Sequence, residues 1–395
     1  MQRSSSEKNY GETLAVNISV GLPAEGLWRQ NIVLADMNQD SFLDIVAPLP
    51  RKAKKEAQNP SVFLWDGGAK GWKKGPESFP SLPDYDYGGV AAGDLNGDGL
   101  PDIVLAVHTG KLIVLYNTRE GKFLESPFPV GQPFHSRTVK LSDINNDGWA
   151  DIVALSEGPF SPSYKPAGIL VGINRKGQGW DIRFVEGSGG LYCDSFAVGD
   201  LNGDGNVDIV VAPLTTERRG RYVWFGDGRG GFLNDTQEDF GGNVKVVDVK
   251  AGDIDGDNIS EVAMIIVSTL QPGDITVRQI LVFKWANGKF ENISKGFELM
   301  RKVYALNLAD VDGDSKQELI ALTEEISIYR YIGGSWVRKL YSPIGTYQDT
   351  AGVFGLEAGR NSDGSAFVAF NLGSENVILK GGIQAYAISP GSLPD

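Results

Sequence analysis

The chain of 395 residues is long enough for two or three ordinary domains or for one large all-β domain. Apolar residues make up 41% of it and charged residues 22%, a balance typical of folded globular proteins and unlike that of disordered chains. The net charge of −13 argues against a nucleic-acid-binding protein, and no apolar run reaches the ~18 residues of a membrane span. Cys193 is the single cysteine, which excludes an intrachain disulfide. Glycine is frequent throughout, with 51 residues, and this indicates many tight turns.

One motif recurs along the chain at intervals of 49 to 58 residues. A representative copy is AAGDLNGDGLPDIVLAV, in which acidic and amide residues alternate before an apolar run. The copies lead with Asp36, Asp94, Asp143, Asp200, Asp253, Asp310 and, in a degenerate form that lacks the leading and closing acids, Gly359. Seven units at near-constant spacing indicate a repeat architecture.

Each unit contains the same elements in the same order. An apolar stretch precedes the acidic loop, a β-branched run such as DIVLAV follows it, and an alternating aromatic strand such as KLIVLYNTREG comes after a variable loop. Short β-rich runs between Gly, Asn and Asp predict strands and hairpins, and no segment of comparable length has a helical period. Four strands in each of seven units predict an all-β fold, a seven-bladed β-propeller that forms one domain over residues 1–395.

The seventh unit is one strand short. It supplies predicted strands near Val353–Leu356, Phe367–Phe370 and Ile383–Ile388, whereas the run TLAVNISVG stands alone before the first unit. We therefore predict that Thr13–Val20 pairs with the last blade and closes the ring. Residues 1–12 are expected to form a flexible tail.

The repeated pattern D-x-[DN]-x-D-G-x-x-[DE] resembles FG-GAP/VCBS repeats over essentially the whole chain. That family of seven-bladed propellers includes integrin α-subunit heads and many exported bacterial proteins. The resemblance implies that each acidic loop joins the inner strand of a blade to its second strand, on one face of the ring. A fold by itself does not define a function.

The acidic loops have the composition of calcium sites, because Ca²⁺ takes six to eight oxygen ligands in a tolerant geometry. Side chains at loop positions 1, 3, 5 and 9 and the carbonyl of position 7 can surround one ion, although the glutamate at position 12 of an EF-hand is missing. The predicted ligands are Asp36, Asn38, Asp40, Phe42 and Asp44 in loop one; Asp94, Asn96, Asp98, Leu100 and Asp102 in loop two; Asp143, Asn145, Asp147, Trp149 and Asp151 in loop three; Asp200, Asn202, Asp204, Asn206 and Asp208 in loop four; Asp253, Asp255, Asp257, Ile259 and Glu261 in loop five; and Asp310, Asp312, Asp314, Lys316 and Glu318 in loop six. We expect five to six structural Ca²⁺ ions and none in blade seven.

The six loops differ at the turn and in charge. Gly99, Gly148 and Gly205 suit a positive φ in loops two to four, and the same position holds Ser41, Asn258 and Ser315 in loops one, five and six. Loops five and six carry four carboxylates each, which favours tighter binding. The calcium is expected to be structural, since no base or nucleophile recurs beside it. In the alternative interpretation, some loops hold no ion and are stabilised by Asx-turn hydrogen bonds.

The resemblance places the starts of the inner strands, and the loops between second and third strands, on the face opposite the acidic loops. Loops 48–61 and 215–222 are basic there, and 156–168 is rich in Pro and aromatic residues. Long loops on a rigid scaffold commonly carry binding sites. The candidate ligand-binding residues are Trp28, Asp86, Tyr87, His135, Arg137, Tyr192, Lys245, Lys302 and Tyr304. The alternative is ordinary polar lining and solvated loop charge.

Two functions are compatible with these features. The first is a non-catalytic recognition module of an extracellular, periplasmic or cell-surface protein, which binds a protein or glycan, including an anionic one. Calcium loops of weak affinity favour that location, because extracellular modules operate at Kd values of about 10⁻⁴–10⁻³ M. The second is a polysaccharide lyase acting on a uronate-containing glycan, with His135 as base, Tyr192 as acid and Arg137 neutralising the carboxylate.

Overall fold

The computed structural model describes residues 15–28, 30–51, 59–68, 71–75, 78–83, 85–108, 110–131, 134–156, 168–191, 193, 195–212, 223–235, 240, 245–269, 276–297, 303–343, 352–373 and 382–388. Within these ranges the regular structure consists of 28 strands in seven four-stranded antiparallel sheets, with no helix. No membrane-spanning helix is found in this part of the chain. The predicted all-β fold of seven four-stranded blades is confirmed.

Each blade is written here from its inner strand to its outer strand. Blade one contains β2 (Val33–Ala35), β3 (Asp44–Ala47), β4 (Ser61–Leu64) and β5 (Lys73–Lys74). Blade two contains β6 (Gly88–Gly93), β7 (Asp102–Val107), β8 (Leu112–Asn117) and β9 (Phe123–Glu125). Blade three contains β10 (Ser136–Ser142), β11 (Asp151–Ser156), β12 (Ile169–Asn174) and β13 (Trp180–Phe184). Blade four contains β14 (Phe196–Gly199), β15 (Asp208–Val211), β16 (Val223–Gly226) and β17 (Phe232–Asp235).

The remaining blades have the same order. Blade five contains β18 (Lys245–Gly252), β19 (Glu261–Thr269), β20 (Thr276–Ala286) and β21 (Lys289–Asn292). Blade six contains β22 (Ala305–Ala309), β23 (Glu318–Leu322), β24 (Glu325–Ile332) and β25 (Ser335–Pro343). Blade seven contains β26 (Gly352–Arg360), β27 (Ala366–Gly373), β28 (Gly382–Ile388) and, as its outer strand, β1 (Val16–Asn17).

In the part of the chain that the structure describes, the core consists of seven apolar clusters, each shared by two neighbouring blades. Blade two shows how one strand serves two clusters. Ile103 and Leu105 of β7 pack towards blade one, whereas Val104 and Ala106 pack towards blade three. Successive side chains of a strand point to opposite faces of the sheet, so a strand between two sheets is apolar at every position. This explains the β-branched runs that follow the acidic loops.

The N-terminal strand closes the ring. Val16 pairs with Ala387 and Asn17 with Tyr386, and beyond the ladder the Ile18 N–H donates to the Ala385 carbonyl oxygen at 2.9 Å. Ser19 continues the contact, because its Oγ accepts a hydrogen bond from the Ala385 N–H. The predicted closing strand is thereby confirmed. Thr13, Leu14 and the tail predicted at 1–12 lie outside the described residues.

Candidate functional site

The acidic loops lie between the first and second strands of blades one to six, on one face of the ring. The backbone at the sixth loop position has a positive φ in all six loops, as the sequence predicts. The φ angles are 75° at Ser41, 85° at Gly99, 84° at Gly148, 82° at Gly205, 66° at Asn258 and 71° at Ser315. Three loops therefore adopt the left-handed conformation without glycine, at a steric cost that the rest of the loop must offset.

The leading aspartate organises each loop by accepting backbone hydrogen bonds. In loop two, Asp94 Oδ1 accepts from the Gly97 N–H at 2.7 Å and Oδ2 from the Gly99 N–H at 2.8 Å. Asp98 Oδ1 accepts from the Leu100 N–H at 2.8 Å. Asx-turn hydrogen bonds of this kind are what the alternative interpretation, loops without an ion, predicts. They are also compatible with a bound ion, because each carboxylate oxygen retains a second lone pair.

The carboxylate at loop position 9, called here the closing carboxylate, lies at the start of the second strand. It is fully buried in loops one to four. Asp102 shows the arrangement: Oδ2 accepts from the Leu95 N–H at 2.9 Å and Oδ1 from the Asn117 N–H of the third strand at 2.8 Å. Burial raises the pKa of this carboxyl to about 7, against the effect of its two hydrogen bonds, and the charges of Asp98 and Asp94 add to the rise. Asp44 and Asp208 have pKa values of about 7 and Asp151 of about 6, again chiefly through burial.

Loops one to four fit a calcium ion by the chemistry of their donors. Each supplies three carboxylates and an amide, and no Lys or Arg among the described residues is ion-paired to them. Carboxylates buried without a cation are costly, and hard oxygen donors are the ligands that Ca²⁺ prefers. In these four loops the side chains at positions 1, 3, 5 and 9 would hold the ion, which would tie the loop to the second strand.

Loops five and six contain a cation of the protein itself. In loop five, Lys284 of β20 is ion-paired with Asp255, with Asp257 at 2.6 Å and with Glu261 at 3.5 Å. Burial would lower the pKa of Lys284, but its hydrogen bonds to Asp255 and Asp257 raise it above the ordinary value. The acidic groups converge here as a metal site requires, since single oxygens of Asp253, Asp255 and Glu261 lie within 4.8 Å of one another.

Loop six repeats this arrangement with an arginine. Arg330 of β24 is ion-paired with Asp312, with Glu318 at 3.2 Å and with Asp314 at 3.8 Å. Its side chain is only 14% exposed. Single oxygens of Asp310, Asp312 and Glu318 likewise lie within 4.8 Å of one another, so in both loops a basic side chain lies among carboxylates that are close enough to share a metal ion.

Blade seven has a tight turn in place of an acidic loop. The Asn361 N–H donates to the Ser365 carbonyl oxygen at 2.7 Å, and the Asn361 side chain accepts from the Leu43 N–H of blade one at 2.8 Å. The turn is thus held by hydrogen bonds to its own backbone and to the neighbouring blade.

On the opposite face, three side chains meet where blades one and two adjoin. Tyr87 precedes β6 and His108 follows β7, and their rings stack with centroids 4.5 Å apart. The Arg51 guanidinium lies 5.2 Å from the centre of the Tyr87 ring, within cation–π distance. The neighbouring Asp86 is exposed. Since β6 is six residues long, this cluster lies about 20 Å from loop two.

The other predicted ligand-binding residues have varied surroundings. Trp28 is 5% exposed and packs edge-on against Phe63 in the core. His135, Arg137 and Tyr304 are half-buried near the starts of β10 and β22. Tyr192 and Lys302 lie outside the described residues, as does the side chain of Lys245. Sequence reasoning missed Arg51 and His108 as partners of Tyr87, although His108 ends a predicted strand on the same face.

The inner strands surround an axial cluster of charged side chains. Lys250 of β18 lies 3.4 Å from Asp248, and Glu357 of β26 accepts a hydrogen bond from the Asn307 side chain. Burial lowers the pKa of Lys140 on β10, and the charge of Lys250 lowers it further. Burial also raises the pKa of Glu357, against the effect of both lysines. Two acids and two bases thus balance one another along the axis.

The buried aspartates predict a pH dependence of the calcium-free protein. In the folded state the closing carboxyls titrate at about 6 to 7, above the ~3.9 of an unfolded chain, so the folded state binds more protons between these values. The contribution of these carboxyls to the stability of the folded state is therefore complete below about pH 4, and it is lost as the pH rises towards 7. In calcium-depleted buffer, the melting temperature should be lower at pH 7.5 than at pH 5. A melting temperature that is higher at pH 7.5 than at pH 5 would contradict the raised pKa values of the closing carboxyls.

Seven four-stranded blades with acidic loops on one face define a repeat propeller. Three segments of the chain, at residues 53–105, 94–154 and 200–264, match FG-GAP-like repeats. Integrin alpha pat-2 of Caenorhabditis elegans is 26% identical over 252 residues, an alignment that covers 52% of this chain and 20% of that protein. The chain thus spans about a fifth of the length of this relative.

A solved structure has a similar fold. BBS1N, in a crystal structure of its complex with ARL6DN soaked with mercury, superposes with a TM-score of 0.57 at 14% identity, and the alignment covers 93% of this chain and 94% of BBS1N. The Dos1 propeller aligns with a TM-score of 0.45 at 8% identity, over 88% of this chain and 76% of its own. At 14% identity, the similarity to BBS1N concerns the fold alone.

Proposed function

We propose that the protein is a calcium-stabilised, non-catalytic recognition module that binds a protein or glycan ligand on the face opposite the acidic loops. Its integrin-like repeats support a role in protein recognition. Weak calcium loops of this kind are suited to an extracellular, periplasmic or cell-surface location, where calcium is abundant. The calcium ions hold the scaffold, and the loops of the other face contact the ligand.

The cluster of Arg51, Tyr87 and His108 carries this proposal. It places a cation, two stacked rings and the exposed Asp86 at the junction of two blades, on the face away from the calcium loops. Arginine and aromatic residues are enriched at the energetic centres of protein interfaces, and aromatic rings also stack on sugars. The basic loops 48–61 and 215–222 favour an anionic ligand.

A binding screen tests the proposal. The purified chain is probed in millimolar calcium against an array of uronate-containing oligosaccharides and against a panel of purified ectodomains. For a ligand so identified, Arg51→Ala and Asp86→Ala should each weaken binding about tenfold or more, which corresponds to ~1.4 kcal/mol. The melting temperature should change by no more than about 2 °C, because Asp86 is exposed, Arg51 is half-buried, and the domain is large.

The matched control is Lys289→Ala on the outer edge of blade five, where the lysine is 64% exposed. Binding by this variant should equal that of the wild type. Crosslinks from a photoreactive residue at position 86, and none from position 122 on the outer edge of blade two, would place the ligand as proposed. Equal weakening by the control, or crosslinks only from the outer edge, would refute it.

A further inference from the structure

We infer that Lys284 and Arg330 are built-in cations that take the place of calcium in loops five and six, so that the protein binds four calcium ions. The inference rests on the proposed function in one respect, namely that loops one to four bind calcium. It departs from the expectation, based on carboxylate number alone, that loops five and six bind calcium most tightly.

The strand register places each basic residue opposite a closing carboxylate. Val262 pairs with Phe283, which sets Lys284 beside Glu261, and Leu319 pairs with Tyr329, which sets Arg330 beside Glu318. The same position on the third strand is apolar or aromatic in the other four acidic blades. Those residues are Leu64, Tyr116, Ile173 and Phe225.

Two further changes accompany the basic residue. The third loop position is an aspartate in loops five and six and an asparagine in loops one to four. The closing residue is a glutamate in loops five and six and an aspartate in loops one to four. The added acid at the third position offsets the charge of the added base. The coincidence of all three changes in the same two blades indicates a second type of loop with its own way of neutralising charge.

The hydrogen bonds of the closing carboxylate explain the glutamate. In loops one to four, one oxygen of the aspartate accepts from a backbone N–H of the third strand, at Trp65, Asn117, Asn174 and Gly226. In loops five and six, the longer side chain instead turns one oxygen, Oε1, towards Lys284 or Arg330. Its other oxygen retains the bond from the loop backbone, at Ile254 and Val311.

Calcium would have to expel these cations from the carboxylates that it needs as ligands. Lys284 contacts positions 3, 5 and 9 of loop five, and Arg330 contacts the same positions of loop six. An ion bound beside a retained lysine would meet like charge at short range. The ring is therefore divided into calcium-dependent blades one to four and calcium-independent blades five and six.

Calcium stoichiometry, measured by equilibrium dialysis on the full chain, tests this division. The wild type should bind four ions. Lys284→Leu and Arg330→Tyr introduce the residues that blades one and two have at this position, and each variant should bind five ions. The double variant should bind six. Lys289→Gln, which removes an exposed lysine from the adjacent strand, should leave the number at four.

Hydrogen exchange provides a second measurement that does not depend on the variants. On calcium removal, amide exchange should accelerate in residues 94–102 and in the corresponding segments of loops one, three and four. Segments 253–261 and 310–318 should exchange at the same rate with and without calcium. Acceleration of all six segments would contradict the inference.

The outcomes separate this inference from the proposed function. Six ions in the wild type, or no gain in the variants, would overturn the inference and leave the calcium-stabilised module intact. If the wild type bound none, the calcium part of the proposed function and the count of four ions would both fail, whereas a gain of one ion in each variant would still support Lys284 and Arg330 as built-in cations. If Lys284→Leu did not fold, the reciprocal change Asn96→Asp with Asp102→Glu and Tyr116→Lys should remove one ion from loop two. Retention of four ions by that variant would refute the inference.

Discussion

Deletion of residues 1–20 should lower the free energy of unfolding by at least about 6 kcal/mol, because about six hydrogen bonds of ~1 kcal/mol each close the ring. The deleted residues bond to Ala385, Ala387 and Tyr386 of β28 and to Trp72 of blade one, whose indole N–H donates to the Ile18 carbonyl oxygen at 3.0 Å. At ~2.1 cal/mol/K of unfolding entropy per residue, this corresponds to a fall of about 7 °C in melting temperature.

A shorter deletion isolates the strand from the tail. Removal of residues 1–12 keeps β1 and should change the melting temperature by less than about 1 °C, because the sequence predicts that these residues form a flexible tail. Calorimetry of the two deletions in saturating calcium makes the comparison. An unchanged melting temperature after removal of residues 1–20 would show that β1 does not hold the ring together.

Removal of calcium should have the larger effect. At a hundredfold excess of calcium over Kd, each site contributes about 2.7 kcal/mol to the free energy of unfolding, so four sites contribute about 11 kcal/mol. Chelation with EDTA at pH 7.5 should therefore lower the melting temperature by more than about 10 °C. The physical reason is that the buried closing aspartates are left without a counterion at a pH where they tend to ionise.

Two controls make this result specific. Magnesium should restore little of the lost stability, because it demands a near-octahedral shell at 2.0–2.1 Å that these loops do not provide. Asp102→Asn should remove one ion and leave a smaller response to EDTA than the wild type shows. A melting curve that does not respond to chelation would refute structural calcium in loops one to four.

The fold was predictable because each repeat is determined by residues that lie close together in the chain. Each acidic motif contains its own turn, with a residue of positive φ at a fixed position, and each is followed by a run that is apolar at every residue. The missing outer strand of blade seven was predictable by counting strands, and β1 pairs with β28 as that count requires. These features depend on residues close together in the chain or on the number of units.

The cations of loops five and six were not predictable from the motif. Lys284 and Arg330 come from the third strand, and the hairpin before that strand differs in length from blade to blade. Their position opposite the closing glutamate follows from a register that the loop sequence does not determine. The fourth carboxylate was a visible signal, but it fits a tighter calcium site as well as an internal ion pair.

The opposite face was predictable only in outline. The candidate residues Asp86 and Tyr87 lie just before an inner strand, as the sequence predicts. The same set of candidates included Trp28, which the structure places in the core beside Phe63. Contacts such as that of Arg51 with Tyr87 join residues from different blades, and only the closed ring brings them together.

The alternation of side chains in the second strands limits how such rings change in evolution. Ile103 packs against blade one, and Val104, the next residue, packs against blade three. Each blade is therefore fitted to two different neighbours. A duplicated or transplanted blade would therefore meet an unmatched surface on at least one side, even if it folded well. Changes in blade number or order require paired changes in adjoining blades, whereas loops at the rim can diverge one at a time.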